Sequence, residues 1–100
     1  MAQIIWTEPA LADLEAIASY IALDKPTAAK RLVQRVFARV DQLAIFPLSG
    51  GKPSGLADTP YRQLVINPLR IFYRVEVDRV FIVYVMRGEQ LLRLRDLQER

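Results

Sequence analysis

The chain contains no cysteine and no histidine. The commonest nucleophile, the commonest general base and the usual transition-metal ligands are therefore missing together. Without cysteine there is no disulfide scaffold, which fits a reducing compartment. No apolar run approaches the ~20 residues needed to span a bilayer. The first residues, Met1-Ala2-Gln3-Ile4-Ile5-Trp6, carry neither the basic start nor the long apolar stretch of a secretory signal. Repeats and low-complexity tracts are absent as well. These absences point to a soluble, cytoplasmic protein with no membrane association, no metal and no cofactor. What is left for function is guanidinium groups, carboxylates, a few hydroxyls and apolar surface.

Of the 100 residues, 52% are hydrophobic. That is enough for one core, so residues 1–100 read as a single domain whose net stability is on the order of 5–10 kcal/mol. The formal charge is +3, and its distribution says more than its size. Residues 1–50 hold five Lys/Arg and five Asp/Glu, whereas residues 51–100 hold nine and six, so the excess lies in the second half. Five of those cations, Arg62, Arg70, Arg74, Arg79 and Arg87, fall within residues 61–87. Arginines at that density on β-prone sequence suit the gripping of phosphate or carboxylate by fixed, forked donors.

Hydrophobic periodicity organises the chain. Ile4-Ile5-Trp6 is a short β-prone run. Thr7 follows as an N-cap, with Glu8 and Pro9 in a first helical turn. Leu11, Leu14, Ile17, Ala18 and Ile21 recur at helical spacing, which predicts a helix over 8–23. Asp24-Lys25-Pro26 interrupts it, and Pro26 suits the first position of a second helix over 26–45. The stripe of that helix is Leu32, Val33, Val36, Phe37, Val40, Leu43 and Ala44, and the short connection implies an antiparallel hairpin. Residues 46–60 are rich in proline, glycine and serine and form a long loop. Alternation then predicts strands over 61–66, 69–77 and 80–86, with turns at Asn67-Pro68 and Asp78-Arg79. The expected fold is α+β: an N-terminal strand, a helical hairpin and a three-stranded antiparallel meander, in one sheet with both helices on one face. Residues 87–100 read as a short helix or a loose tail.

With the helices on one side, the other sheet face has no obvious cover. Over residues 69–77 the aliphatic set Leu69, Ile71, Tyr73, Val75 and Val77 should face the core, leaving Arg70, Phe72, Arg74 and Glu76 on the open side. Strict alternation over 80–86 puts Val80, Ile82, Tyr84 and Met86 on one face and Phe81, Val83 and Val85 on the other. An open face bearing Phe and Val signals a partner surface; the alternative is that residues 87–100 fold back over it. A homodimer and a hetero-oligomer fit such a surface equally well.

The order and spacing of several short pieces resemble the ParE/RelE superfamily of bacterial toxin–antitoxin toxins over essentially the whole chain. They are Trp6-Thr7-Glu8-Pro9-Ala10-Leu11-Ala12-Asp13-Leu14, Tyr20-Ile21-Ala22 and Asp24-Lys25-Pro26-Thr27-Ala28-Ala29. Phe46-Pro47, Tyr61-Arg62-Gln63-Leu64-Val65, Pro68-Leu69-Arg70-Ile71-Phe72-Tyr73-Arg74 and Val85-Met86-Arg87 complete the set. The resemblance implies a growth-inhibiting toxin associated with plasmid stabilisation and held inactive by a cognate antitoxin. It also implies one of two targets: DNA gyrase for ParE-like members, or mRNA on the ribosome for RelE-like ones. Ribosome-dependent cleavage needs an activated 2′-hydroxyl, a stabilised phosphate and a protonated leaving oxygen. Arg70 and Arg87 match the family's phosphate-gripping arginines, and Arg62 falls where a basic strand residue is usual. The second strand lysine is replaced by Leu64 or Val65, and no tyrosine follows Tyr84. Arginine stays protonated and is a poor base, so only Glu76 or Glu89 could accept a proton locally. The incomplete set favours the gyrase-directed, non-catalytic branch.

The expected target contacts are Arg62, Arg70, Arg74, Arg87, Arg93 and Arg95, and the expected antitoxin contacts are Arg70, Phe72, Arg74, Phe81, Val83 and Val85. No residue is expected to be catalytic; an endonuclease would use Arg62, Arg70 and Arg87. A third reading is a non-toxic module that only assembles with its antitoxin as a co-repressor. Lys30, Arg31, Arg35 and Arg39 read as the solvated side of the second helix. Tyr61, Tyr73 and Tyr84 read as packing, and Gly50-Gly51-Lys52-Pro53 lacks the spacing of a phosphate-binding loop.

Overall fold

A computed structural model describes residues 1–88 and 90–100, so Glu89 lies outside the described residues. The elements run β1 (Gln3–Trp6), α1 (Glu8–Ala22), α2 (Pro26–Asp41), β2 (Tyr61–Ile66), β3 (Leu69–Glu76), β4 (Arg79–Arg87) and α3 (Leu94–Gln98). A 3-10 turn, Gln42–Ala44, tightens the end of α2. The four strands form one sheet in the order β1-β4-β3-β2, an antiparallel meander with β1 added parallel to β4. The expected α+β architecture is therefore the observed one.

Thr7 joins β1 to α1 in two ways. Its Oγ1 accepts the Ala10 N–H at 3.3 Å, capping the helix, and donates to the Ile82 carbonyl at 2.8 Å, anchoring the cap to β4. Pro26 occupies the first turn of α2, where its missing N–H leaves nothing unpaired. Both helices press one stripe onto the sheet: Ala10 and Leu14 from α1, and Leu32, Val36 and Val40 from α2. They meet Leu64, Ile66, Leu69, Ile71, Tyr73, Val80, Ile82 and Val85 in the larger core.

Three expectations about the strands need correction. Val77, expected in the core, is 100% exposed and has φ of 55°, a left-handed backbone that β-branched residues rarely adopt. The β3–β4 turn is Val77-Asp78 rather than Asp78-Arg79, because Glu76 and Arg79 are the last paired residues. The alternation of β4 also breaks midway. Phe72 pairs with Tyr84 and Tyr73 with Ile82, so Val83 has no opposite residue and forms a bulge. Before it, Val80 and Ile82 face the helices; after it, Val85 does. Val83, Tyr84 and Met86, with Phe81, all fall on the other face.

That other face is covered. The C-terminal segment takes the fold-back alternative: Leu97 of α3, 1% exposed, packs with Phe72, Val83 and Met86, and Leu56, Tyr61, Phe81, Tyr84 and Leu92 ring this second core. Phe72 and Val83, expected on an open face, are 0% exposed, and Val85 belongs to the first core. Burial of a ring such as Phe72 contributes about 1.5–3 kcal/mol, which the pattern of β3 alone could not assign to a covering element near the C-terminus.

Candidate functional site: arginines on two faces of one sheet

On the face covered by α3, aromatic rings carry the guanidinium groups. Arg70 stands 5.0 Å from the centroid of Phe72, and its Nε donates to Gln63 Oε1 at 3.1 Å. Arg74 lies 4.6 Å over Phe81 and donates to Glu76 Oε2 at 2.7 Å. Arg100 sits 4.1 Å over Tyr84, which meets Phe72 edge to face at 6.4 Å. Stacking on rings keeps each fork flat and charged while its stem covers apolar surface.

Arg100 also closes a latch between α3 and α1. Its Nη1 and Nη2 donate to Asp13 Oδ2 and Oδ1 at 2.7 and 3.1 Å, and Nη1 reaches the Val83 carbonyl at 3.2 Å. Asp13 Oδ2 accepts the Val85 N–H at 3.1 Å as well. β1 pairs only as far as Ile82, so this pair of side chains satisfies β4 where its neighbouring strand has stopped. The Asp13 hydrogen bond is also the main cause that raises the Arg100 pKa, against the opposing effect of burial.

Arg62 and Arg87 lie elsewhere. Arg62 pairs across the sheet with Tyr73, and its Nη1 donates to the carbonyls of Leu48 and Gly50 at 3.2 and 2.9 Å. It fastens the long loop to β2. The same loop gives its Gly50 N–H to the buried Tyr73 hydroxyl at 2.8 Å. Burial pushes the Tyr73 pKa up, offset in part by that N–H and by the charges of Arg62 and Arg39. Arg87 pairs with Leu69 at the far end of β3, with its guanidinium 4.9 Å over the Tyr20 ring of α1.

The three arginines that an endonuclease would use on one phosphate are thus dispersed. Arg70 points to the α3 side, while Arg62 and Arg87 belong to the helix side at opposite ends of the meander. Arg93 and Arg95 are exposed around α3, where the Arg93 N–H donates to Asp96 Oδ2 at 3.2 Å. Arg74 forms the ion pair with Glu76 that its position in the strand allows, but Arg70 takes Gln63 instead of a carboxylate. Asp13 and Arg100 were not singled out from sequence: they lie 87 residues apart, and neither stands in a pattern that marks a contact.

Comparisons with known proteins identify the family. The family described as the ParE toxin of the type II toxin–antitoxin system parDE matches residues 4–92. The chain belongs to that family. A protein called Toxin RelE2 from Caulobacter vibrioides is 39% identical over 92 residues, 91% of this chain and 100% of that one. A protein called Putative toxin Y4kP from Sinorhizobium fredii is 41% identical over 88 residues, 88% of this chain and 90% of that one. Among solved structures, a chain of the chromosomal ParDE system from P. aeruginosa superposes with a TM-score of 0.75 at 28% identity, covering 89% of this chain and 98% of that one. A copper-bound mutant toxin from Helicobacter pylori shares the fold, with a TM-score of 0.60 at 15% identity over 92% of this chain and 100% of that one.

As a ParE-family toxin of a type II system, the protein carries its family match across β1 to β4 and both long helices; residues 93–100, which hold the latch, lie beyond the matched span. Among the described residues, no helix is long and apolar enough to cross a membrane.

Proposed function

We propose that this toxin inhibits growth by binding DNA gyrase as a non-catalytic poison, in the cytoplasm, as a single domain neutralised by a cognate antitoxin. The dispersal of Arg62, Arg70 and Arg87 is the observation that carries this reading. General acid–base cleavage of RNA needs its groups within hydrogen-bond reach of one phosphodiester, and these three are divided between two sheet faces with Arg62 already holding loop carbonyls. A binding toxin needs only a rigid, basic surface. The proposed target contacts are Arg93 and Arg95 around α3, Arg70 and Arg74 on the sheet face that α3 covers, and Arg87 on the opposite face. Arg70, Arg74 and Phe81 remain as the accessible part of the sheet face assigned to the antitoxin, since Phe72 and Val83 lie beneath α3.

The test is a supercoiling reaction with gyrase, ATP and closed-circular plasmid, scored for linear DNA after detergent and protease. Accumulation of linear product that is suppressed by the antitoxin is the expected result. Intact plasmid together with cleavage of translated message would replace the poison with a ribosome-dependent endonuclease. Harmless overexpression with retained antitoxin binding would leave only the co-repressor.

A further inference from the structure

β1 is an edge strand, and its outer side is bare. Along the parallel ladder Gln3, Ile5 and Thr7 turn their backbone groups toward β4. The Gln3 N–H donates to the Asp78 carbonyl at 2.8 Å and the Thr7 N–H to the Ile82 carbonyl at 3.1 Å. By alternation Ala2, Ile4 and Trp6 turn theirs outward. The Ala2 N–H finds the Ala44 carbonyl at 2.8 Å, but no turn or loop backbone group among the described residues meets those of Ile4 or Trp6. The side chains of Ile4 and Trp6 pack on the larger core, whereas half-buried Ile5 packs on neither core.

Sheet edges are usually blunted by charge, by proline or by a covering segment. Residues 1–7 contain no charged side chain and no proline. The opposite edge is treated differently. Gly51 exchanges two backbone bonds with Gln63 of β2, at 3.0 and 2.8 Å, and Arg62 ties the same loop down. Apolar side chains gather at the bare margin instead. Phe37 stacks on Trp6 at 5.0 Å and is exposed, and exposed Ile45 and Phe46 directly follow Ala44.

We propose that β1 pairs with β1 of a second copy of this chain. The two strands run antiparallel about a two-fold axis at Ile5, so that Ile4 faces the partner's Trp6 and Ile5 faces the partner's Ile5. Each copy offers the N–H and C=O of Ile4 and Trp6, for about four hydrogen bonds in all. An isologous edge of this kind brings no like charges together, because residues 1–7 carry none. Pairing β2 edges would instead set Arg62 and Arg35 of each copy beside those of the other. Because loop residue Gly51 already occupies the β2 edge, the assembly stops at two copies. So short a strand gives a weak dimer, with a dissociation constant on the order of 10–100 µM. The pairing is independent of the proposed target.

The test follows free toxin by sedimentation equilibrium from about 1 to about 500 µM. The average mass should rise from 11.5 kDa toward twice that value. Over the same range the Ile4 and Trp6 amides should gain severalfold protection from hydrogen exchange. The chain has no cysteine, so one introduced thiol reports on one position. The two-fold axis sets the Ile5 Cα atoms about 4.5 Å apart, within the ~4.4–6.8 Å that a disulfide spans. Ile5→Cys should therefore cross-link under mild oxidation at least about tenfold faster than Leu23→Cys, a control exposed at the end of α1. If Ile5→Cys melts early, exchange in the wild type decides. A monomer at every concentration, or a dimer without protection of Ile4 and Trp6, overturns the pairing. Faster cross-linking through Leu23→Cys in a stable dimer overturns the edge as its site. Protection of the two amides only when antitoxin is added, with free toxin monomeric, gives the edge to the antitoxin and overturns self-pairing.

Discussion

Removal of the Asp13–Arg100 pair should reveal how much of the fold α3 secures. The two side chains are 21% and 18% exposed. Exposed pairs contribute 0–1 kcal/mol and loss of one partner of a fully buried pair costs 3–5, so a bidentate contact at this depth should couple by about 2 kcal/mol. Arg100→Met keeps the stem over Tyr84 but removes the charge. Asp13→Asn keeps an acceptor for the Val85 N–H but removes the fork. Urea denaturation of the wild type, both single variants and the double variant isolates the pairwise energy. For a domain of this size, Arg100→Met alone should lower Tm by about 8–16 °C. Hydrogen exchange gives a local reading of the same event, because the Val85 amide should lose protection in Asp13→Ala. A coupling energy below about 0.5 kcal/mol, the range of an exposed pair, would refute the view that this contact latches the C-terminal segment.

Other perturbations test other parts of the fold. A Cβ at Gly50 would stand 2.5 Å from the Tyr73 hydroxyl and 2.7 Å from the Gln63 carbonyl, so Gly50→Ala should cost about 1–3 kcal/mol in chemical denaturation and free the loop held by Arg62. Val77→Gly should stabilise by about 1 kcal/mol through relief of the left-handed backbone, visible as a higher Tm; an unchanged or lower Tm would contradict the strain. Burial raises the Tyr73 pKa above its ordinary 10.0, so the native state keeps the proton that the unfolded state releases. Tyr73 should therefore contribute constant stability below pH 10 and lose it as pH rises through the folded pKa. The gap between wild type and Tyr73→Phe, about 1–3 kcal/mol from the orphaned Gly50 N–H, should narrow over that range.

The parts of the fold legible in sequence were those governed by local periodicity. Thr7 and Pro26 mark helix starts because capping and the missing proline donor act within one turn. Leu32, Val36 and Val40 give away the buried side of α2 for the same reason. The face assignment of β4 held through Val83 and failed from Tyr84 onward, since a bulge is a property of two strands in register and leaves no trace in the alternation of one. α3 is only five residues long and owes its place to Leu97 and Arg100, whose partners are distant in sequence. The arginines were recognisable as a surface chemistry, but which of them share a face depends on strand parity and hence on that bulge.

The parallel pairing of β1 bears on when the toxin comes into being. Thr7 and Ile82 bond across 75 residues, whereas the helical hairpin and the meander consist of neighbours in sequence. Long-range closure carries its entropy cost before any reward and tends to come late in folding. The expectation is that Ile4→Ala leaves the refolding rate nearly unchanged and speeds unfolding, the signature of contacts formed after the transition state; slowed refolding in stopped flow would place β1 in the nucleus instead. On this view the first strand works as a timer. The sheet is complete only after its latest-made strand has received its earliest, which leaves an interval in which the outer edge of β4 is still unpaired.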